Sequence, residues 1–100
     1  MEYKYKIKFL AQQKIKTFYY NVAKKYRHTY SKELMHKNID ESVDAMFQIE
    51  RSLLRREPVS SRWKEYRYHM ANTDKWYYAY TIDDNTITVV DACHAQNIHE

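Results

Sequence analysis

Glycine is missing altogether from this chain of 100 residues, where an average sequence of that length carries roughly seven. Without it, neither the phosphate-cradling loop of P-loop enzymes nor the glycine turn of dinucleotide-binding folds can be built, so those nucleotide-cofactor classes are excluded. The single cysteine, Cys93, rules out an internal disulfide and any cysteine-rich zinc pattern. No stretch approaches the ~18 apolar residues of a membrane span, and the lysine-interrupted start lacks the apolar core of a signal peptide. These absences lead us to expect a soluble, unsecreted protein in a reducing, cytoplasmic compartment with no membrane partner.

What is present is basic and rich in tyrosine. Seventeen Lys and Arg against thirteen Asp and Glu leave a net charge of +4, a moderate bias toward anionic partners. The length suits one domain, residues 1–100, with a single modest core. Most of the eleven tyrosines fall on inward-facing parities, where they act as large amphipathic core residues.

Periodicity divides the chain. Tyr3 to Phe9 alternate, with Tyr3, Tyr5, Ile7 and Phe9 on one side and Lys4, Lys6 and Lys8 on the other, which predicts a half-buried strand. The lysine row suits either a phosphate track or an edge protected against pairing with other chains. From Ala11 onward Ile15, Phe18, Tyr19, Val22, Ala23, Tyr26 and Tyr30 step by three and four, the pattern of an amphipathic helix. Ser31 is placed to cap a second helix, Glu33 suits its first turn, and Met35, Ile39, Val43, Met46, Ile49 and Leu53 form its stripe. Pro58 restricts Glu57 to extended geometry, which predicts that this helix ends near Arg55.

Three β-rich runs follow: Trp63 to Met70, Trp76 to Ile82, and Ile87 to His94. They are separated by Asn72-Thr73-Asp74-Lys75 and Asp83-Asp84-Asn85-Thr86, whose Asn and Asp tolerate left-handed geometry where no glycine is to hand. The expected fold class is α+β, in the order β-α-α-β-β-β. The helix pair should cover one face of the sheet and leave the other open. Tyr66, Tyr68, Met70, Trp76, Tyr78, Tyr80 and Ile82 would face the helices, while Trp63, Glu65, Arg67, His69, Tyr77 and Thr81 would point outward. The last run is apolar on both parities, which suits a central strand. His28, His36 and His99 have no metal-ligand spacing, and Cys93 lies inside an apolar run as a small hydrophobe.

This order of elements, with WKEYRYHM leading by a hairpin into WYYAYTIDDNTITVVDACHAQN, resembles the RelE/ParE toxin superfamily of bacterial type II toxin–antitoxin systems. The likeness spans nearly the whole chain in architecture and about residues 63–97 in motif. It implies a mainly antiparallel four-stranded sheet with a two-helix hairpin packed on one face. It also implies a toxin, first of all a ribosome-dependent, metal-independent endoribonuclease that cuts messenger RNA. The alternatives are a non-catalytic inhibitor of DNA gyrase and a non-toxic module that binds an antitoxin. A cognate antitoxin protein is the partner common to all three, and a homodimer is compatible with them; no cofactor or metal is called for.

For the ribonuclease, the resemblance assigns Arg67 as phosphate clamp, since its guanidinium can grip two oxygens, and His69 and His94 as acid–base groups. Arg62, Lys64, Lys75, Tyr77 and Gln96 would contact substrate. Two positions where the family often carries a cation hold Tyr77 and Gln96 here, and Tyr77 is suited to stack on a base.

Overall fold

The computed structural model describes residues 3–51, 58, 60–73 and 75–97. Its elements run β1 (Lys4–Ile7), α1 (Phe9–Lys25), α2 (Lys32–Met46), α3 (Ser61–Glu65), β2 (His69–Asn72), β3 (Trp76–Asp83) and β4 (Thr86–His94), with short 3-10 turns at Ile49–Arg51 and Ala95–Asn97. The fold is α+β with a four-stranded sheet in the order β1-β4-β3-β2. β4 pairs antiparallel with β3 and β3 with β2, but β1 lies parallel to β4, so the sheet is mixed. β4 is central, as its apolar character on both parities predicts.

The helical hairpin forms for the reasons its sequence suggests. Ala11, Ile15 and Tyr19 of α1 are buried, and so are Met35, Ile39 and Met46 of α2. Ser31 caps α2 by accepting the Leu34 amide at 3.0 Å, with Glu33 in the first turn. These stripes close on Trp76, Tyr78, Tyr80, Ile87, Val89 and Ala92 to form the main core. The Tyr78 hydroxyl donates to the Ser42 carbonyl at 2.6 Å, and the Trp76 indole N–H donates to the Tyr19 hydroxyl at 3.1 Å. Both polar tips are thereby satisfied inside the core.

Several expectations need correction. Phe9 starts α1 instead of ending the strand, and it is 77% exposed. α2 stops at Met46, where the Phe47 and Gln48 amides bond to Asp44 and Ala45, three residues back, and tighten the chain into a turn. The expected continuation through Leu53 and Arg55 lies outside the described residues. Trp63 to Met70 is not one strand. Ser61–Glu65 is a short helix, β2 begins only at His69, and between them Arg67 takes a left-handed φ of 59°. The alternation in this segment therefore does not report a face, because its first half is helical.

The face opposite the hairpin is consequently not bare. α3 lies against it and buries Trp63 beside Met70 and Ala79, with Tyr68, Tyr77, Val90 and Cys93 packed around them. A bulge in β4 makes this possible. Ala79 pairs with Asp91 and Tyr80 with Val89, leaving Val90 as the extra residue. Strict alternation would put Asp91 on the same face as Ile87 and Val89; the extra residue turns it to the α3 side and swings Ala92 and His94 to the hairpin side.

Asp91, 5% exposed, collects three donors there. The Trp63 indole N–H donates to Oδ2 at 3.0 Å, the Ala92 amide donates to Oδ1 at 2.8 Å, and the Lys14 ammonium lies 2.7 Å from Oδ1. β1 pairs with β4 only as far as Val89, so no β1 residue competes for the edge beyond it. Asp91 thus joins α1, α3 and β4 through one carboxylate. Replacing Asp91 by Ala strands the buried Trp63 N–H and the Ala92 amide, and should lower unfolding free energy by about 2–4 kcal/mol. Trp63→Phe removes one donor while keeping an aromatic ring, and should cost about 1 kcal/mol. Urea denaturation of both variants checks this; equal losses would show that the carboxylate is no hub.

Candidate functional site

A cleft that holds one of the candidate histidines, His94, opens where α1 crosses the end of β4. It has a volume of about 370 Å³ and is lined by Gln13, Lys14, Thr17, Phe18 and Asn21 from α1, by Trp76 from β3, and by Ala92, Cys93 and His94 from β4. Helical spacing puts the five α1 residues on one face, and the β4 bulge brings His94 to the same side.

His94 is 9% exposed. Its ring stacks on Phe18 with centroids 4.1 Å apart and planes 11° from parallel, and it meets the Trp76 ring edge-on at 5.3 Å. Nδ1 accepts the Gln96 amide at 3.2 Å, so in the neutral ring the proton sits on Nε2. Burial lowers the His94 pKa and the nearby Lys75 charge lowers it further. With its one lone pair engaged by that amide and the imidazolium disfavoured by burial and by Lys75, the ring is a weak base and stays neutral at neutral pH. It can donate a hydrogen bond from Nε2 and present a cation-flanked wall. That is chemistry of recognition.

The neighbouring Cys93 is half-buried. Burial raises its thiol pKa, Lys14 pulls it down and Asp91 pushes it up again, with a net rise. The thiol therefore stays protonated at neutral pH, as a packing residue would.

The residues expected to surround one phosphate are not brought together. His69 pairs with Tyr80, and its ring centroid is 5.7 Å from that of Tyr80, so it lies on the hairpin side of the sheet. His94 pairs with Trp76 at the other end of β3. Four residues along β3 and two strand spacings across it separate the two histidines by about 16 Å. Arg67 belongs to neither strand, being exposed in the turn that follows α3 on the opposite side. His69 and Arg67 thus depart from the open face expected of them, because parity was carried through a segment whose first half is helical; His94 stands apart from both at the other end of β3.

The other candidates fall into two groups. Lys75 and Gln96 join His94: the Ala95 amide donates to the Lys75 carbonyl at 2.7 Å and the Gln96 amide to the ring. Arg62 and Lys64 are exposed on α3, close in sequence to Arg67. Tyr77 is half-buried in the cluster beneath α3 and is not free to stack on a base. Sequence reasoning passed over Phe18, Trp76, Lys14 and Asp91 as site-forming residues. One signal did exist: Asp91 is a charge inside the otherwise apolar run ITVVDACH, and a buried charge needs a partner.

Among the described residues no group of three or more His, Cys, Asp or Glu is placed to hold a metal ion, and no helix is long and apolar enough to cross a membrane. Comparison with known proteins finds no matching family model, no similar curated protein and no similar solved structure. The molecule is defined by its own geometry as an α+β domain in which a helical hairpin and a short third helix enclose a mixed sheet, with a cation-flanked cleft at the end of the central strand.

Two measurements test this description. Because the folded pKa of His94 is depressed, its contribution to stability is complete above the ordinary histidine value of about 6.5 and is lost as pH falls through the folded pKa. The urea midpoint should therefore drop between neutral and mildly acidic pH, and drop less in His94→Phe, which keeps the ring stack without the titration. An unchanged pH profile would remove His94 from the buried, neutral role. The second concerns Arg67, whose amide donates to the Lys64 carbonyl at 3.0 Å while the Tyr68 amide donates to the Trp63 carbonyl at 3.1 Å, the bond pair of a Schellman helix end. Glycine is the favoured residue at that left-handed position, so Arg67→Gly should stabilise the fold by about 1 kcal/mol. A loss of stability would contradict the turn.

Proposed function

We propose that this protein is a toxin of the RelE/ParE kind that acts by binding its target, DNA gyrase, without acid–base cleavage of RNA. The element order, the helical hairpin on one face and the aromatic strand leading into a central apolar strand support the family reading. The separation of His69 from His94, together with the occupied Nδ1 of His94, carries the choice of mechanism. A ribonuclease of the expected type needs a base, an acid and a phosphate clamp around one phosphate, and these residues stand at two corners of the sheet and in a turn. A binding toxin needs only a stable surface. Its natural restraint would be a small acidic antitoxin covering the basic surface, in keeping with the net charge of +4.

Expression of the chain alone should arrest growth and accumulate cleaved gyrase–DNA complexes, and co-expression of its cognate antitoxin should relieve both effects. In a translation extract, messenger RNA should remain intact. Ribosome-dependent cleavage that disappears in Arg67→Ala, His69→Ala or His94→Ala would overturn the mechanism, and harmless overexpression would overturn the toxin reading itself.

A further inference from the structure

A second cavity shares Trp76 with the cleft and lies between α2 and the turn that joins β2 to β3. Its volume, about 400 Å³, falls within the roughly 300–1,000 Å³ of pockets that hold small molecules. Charges of opposite sign line it: Glu41 on α2 and Lys75 in the turn, both exposed. No ion pair joins the two, and among the described residues Lys75 has no acidic partner. Glu41 meets only Lys37, at 3.9 Å between two well-exposed side chains, a contact worth little. A cavity with a carboxylate from one element and an ammonium from another, too far apart to pair, is matched by a ligand that carries both charges.

The α2 side supplies acceptors. Asn38, Glu41 and Ser42 stand three and four residues apart and so share one helix face. Asn38 Nδ2 donates to the Tyr30 hydroxyl, which leaves Oδ1 to accept. The Ser42 hydroxyl, in a residue only 8% exposed, donates to the Asn38 carbonyl at 2.8 Å, which leaves its lone pairs to accept. An ammonium has three N–H groups to give to such a set. The turn supplies donors: the Lys75 ammonium, and the Thr73 hydroxyl, whose bond to the Trp76 carbonyl is long at 3.4 Å. Ala45 and the rings of Tyr19 and Trp76 complete the lining, and the bond from the Trp76 indole N–H to the Tyr19 hydroxyl holds the two rings in place. We propose that this cavity binds a free α-amino acid with an apolar side chain, its ammonium on Asn38, Glu41 and Ser42 and its carboxylate on Lys75 and Thr73. The site is independent of gyrase binding, and the two stand or fall separately.

The test follows the two indole N–H resonances of the isotope-labelled full chain during titration with L-leucine. Trp76 lines the cavity, whereas Trp63 is buried beneath α3. Leucine at millimolar concentration should therefore shift the Trp76 signal saturably and leave that of Trp63 in place. N-acetyl-L-leucine lacks the ammonium and L-leucinamide lacks the carboxylate; each should bind at least about tenfold more weakly, the loss of one charge-assisted contact. Glu41→Gln and Lys75→Met, both at exposed positions, should each weaken leucine binding about tenfold, while Lys37→Met, outside the cavity lining, should bind as the parent does. Absence of a saturable Trp76 shift, or unchanged affinity in Glu41→Gln and Lys75→Met, would overturn the proposal. Leucinamide binding as tightly as leucine would overturn it in favour of a simple amine, and N-acetyl-leucine doing so would overturn it in favour of a simple carboxylate.

Discussion

A carboxylate buried among apolar strands is unfavourable unless its charge is matched and its lone pairs are filled, and in this molecule that condition organises three elements. Asp91 takes the ammonium of Lys14 from α1, the indole N–H of Trp63 from α3 and the amide of the residue after it. The β4 bulge at Val90 is what turns the carboxylate toward Trp63. The same bulge turns His94 toward α1, so the seating of α3 on one face and the cleft on the other share one geometric origin. More than a third of the Lys14 side chain remains exposed, so its charge is partly screened and the two hydrogen bonds carry much of the specificity.

The lack of glycine shapes the corners of the fold. Among the described residues two adopt positive φ, Asp84 in the β3–β4 turn and Arg67 after α3. Asp tolerates that geometry through its short polar side chain, and its position was foreseeable in a turn of Asp and Asn. Arg67 has no such excuse; the turn is stabilised by two backbone bonds and by the burial of Trp63 just before it. A chain without glycine can still close a helix, but it concentrates strain at the few places where the path must reverse.

The elements with several repeats of their period were legible. α1 and α2 show the 3.6-residue stripe for three turns or more, β3 is an eight-residue run rich in aromatic residues, and the two-sided apolar character of β4 marks it as central. α3 was not legible because five residues are too few for helical periodicity to show, and because WKEYRYHM alternates large and charged residues as a strand does. The histidine site was misplaced for a related reason. Facing is inherited from neighbour to neighbour along a strand, so the parity of His69 could not be carried back through the helical residues of α3, while the side on which His94 falls is set by the extra residue at Val90, which alternation alone does not reveal.

From composition and patterning alone follow the α+β fold class, the helical hairpin with its Ser31 cap, the inward Tyr78 and Tyr80 of β3 and the exclusion of glycine-dependent nucleotide sites. These properties are local, or accumulate over many residues of one sign, so they survive without knowledge of partners. The parallel pairing of β1, the register of β3 against β4, the packing of α3 over the second face and the surroundings of Asp91 and His94 were settled only in three dimensions. Each of these depends on contacts between segments far apart in the chain, such as the 28 positions between Trp63 and Asp91, and the energy of such a contact belongs to both partners and is written in neither segment by itself.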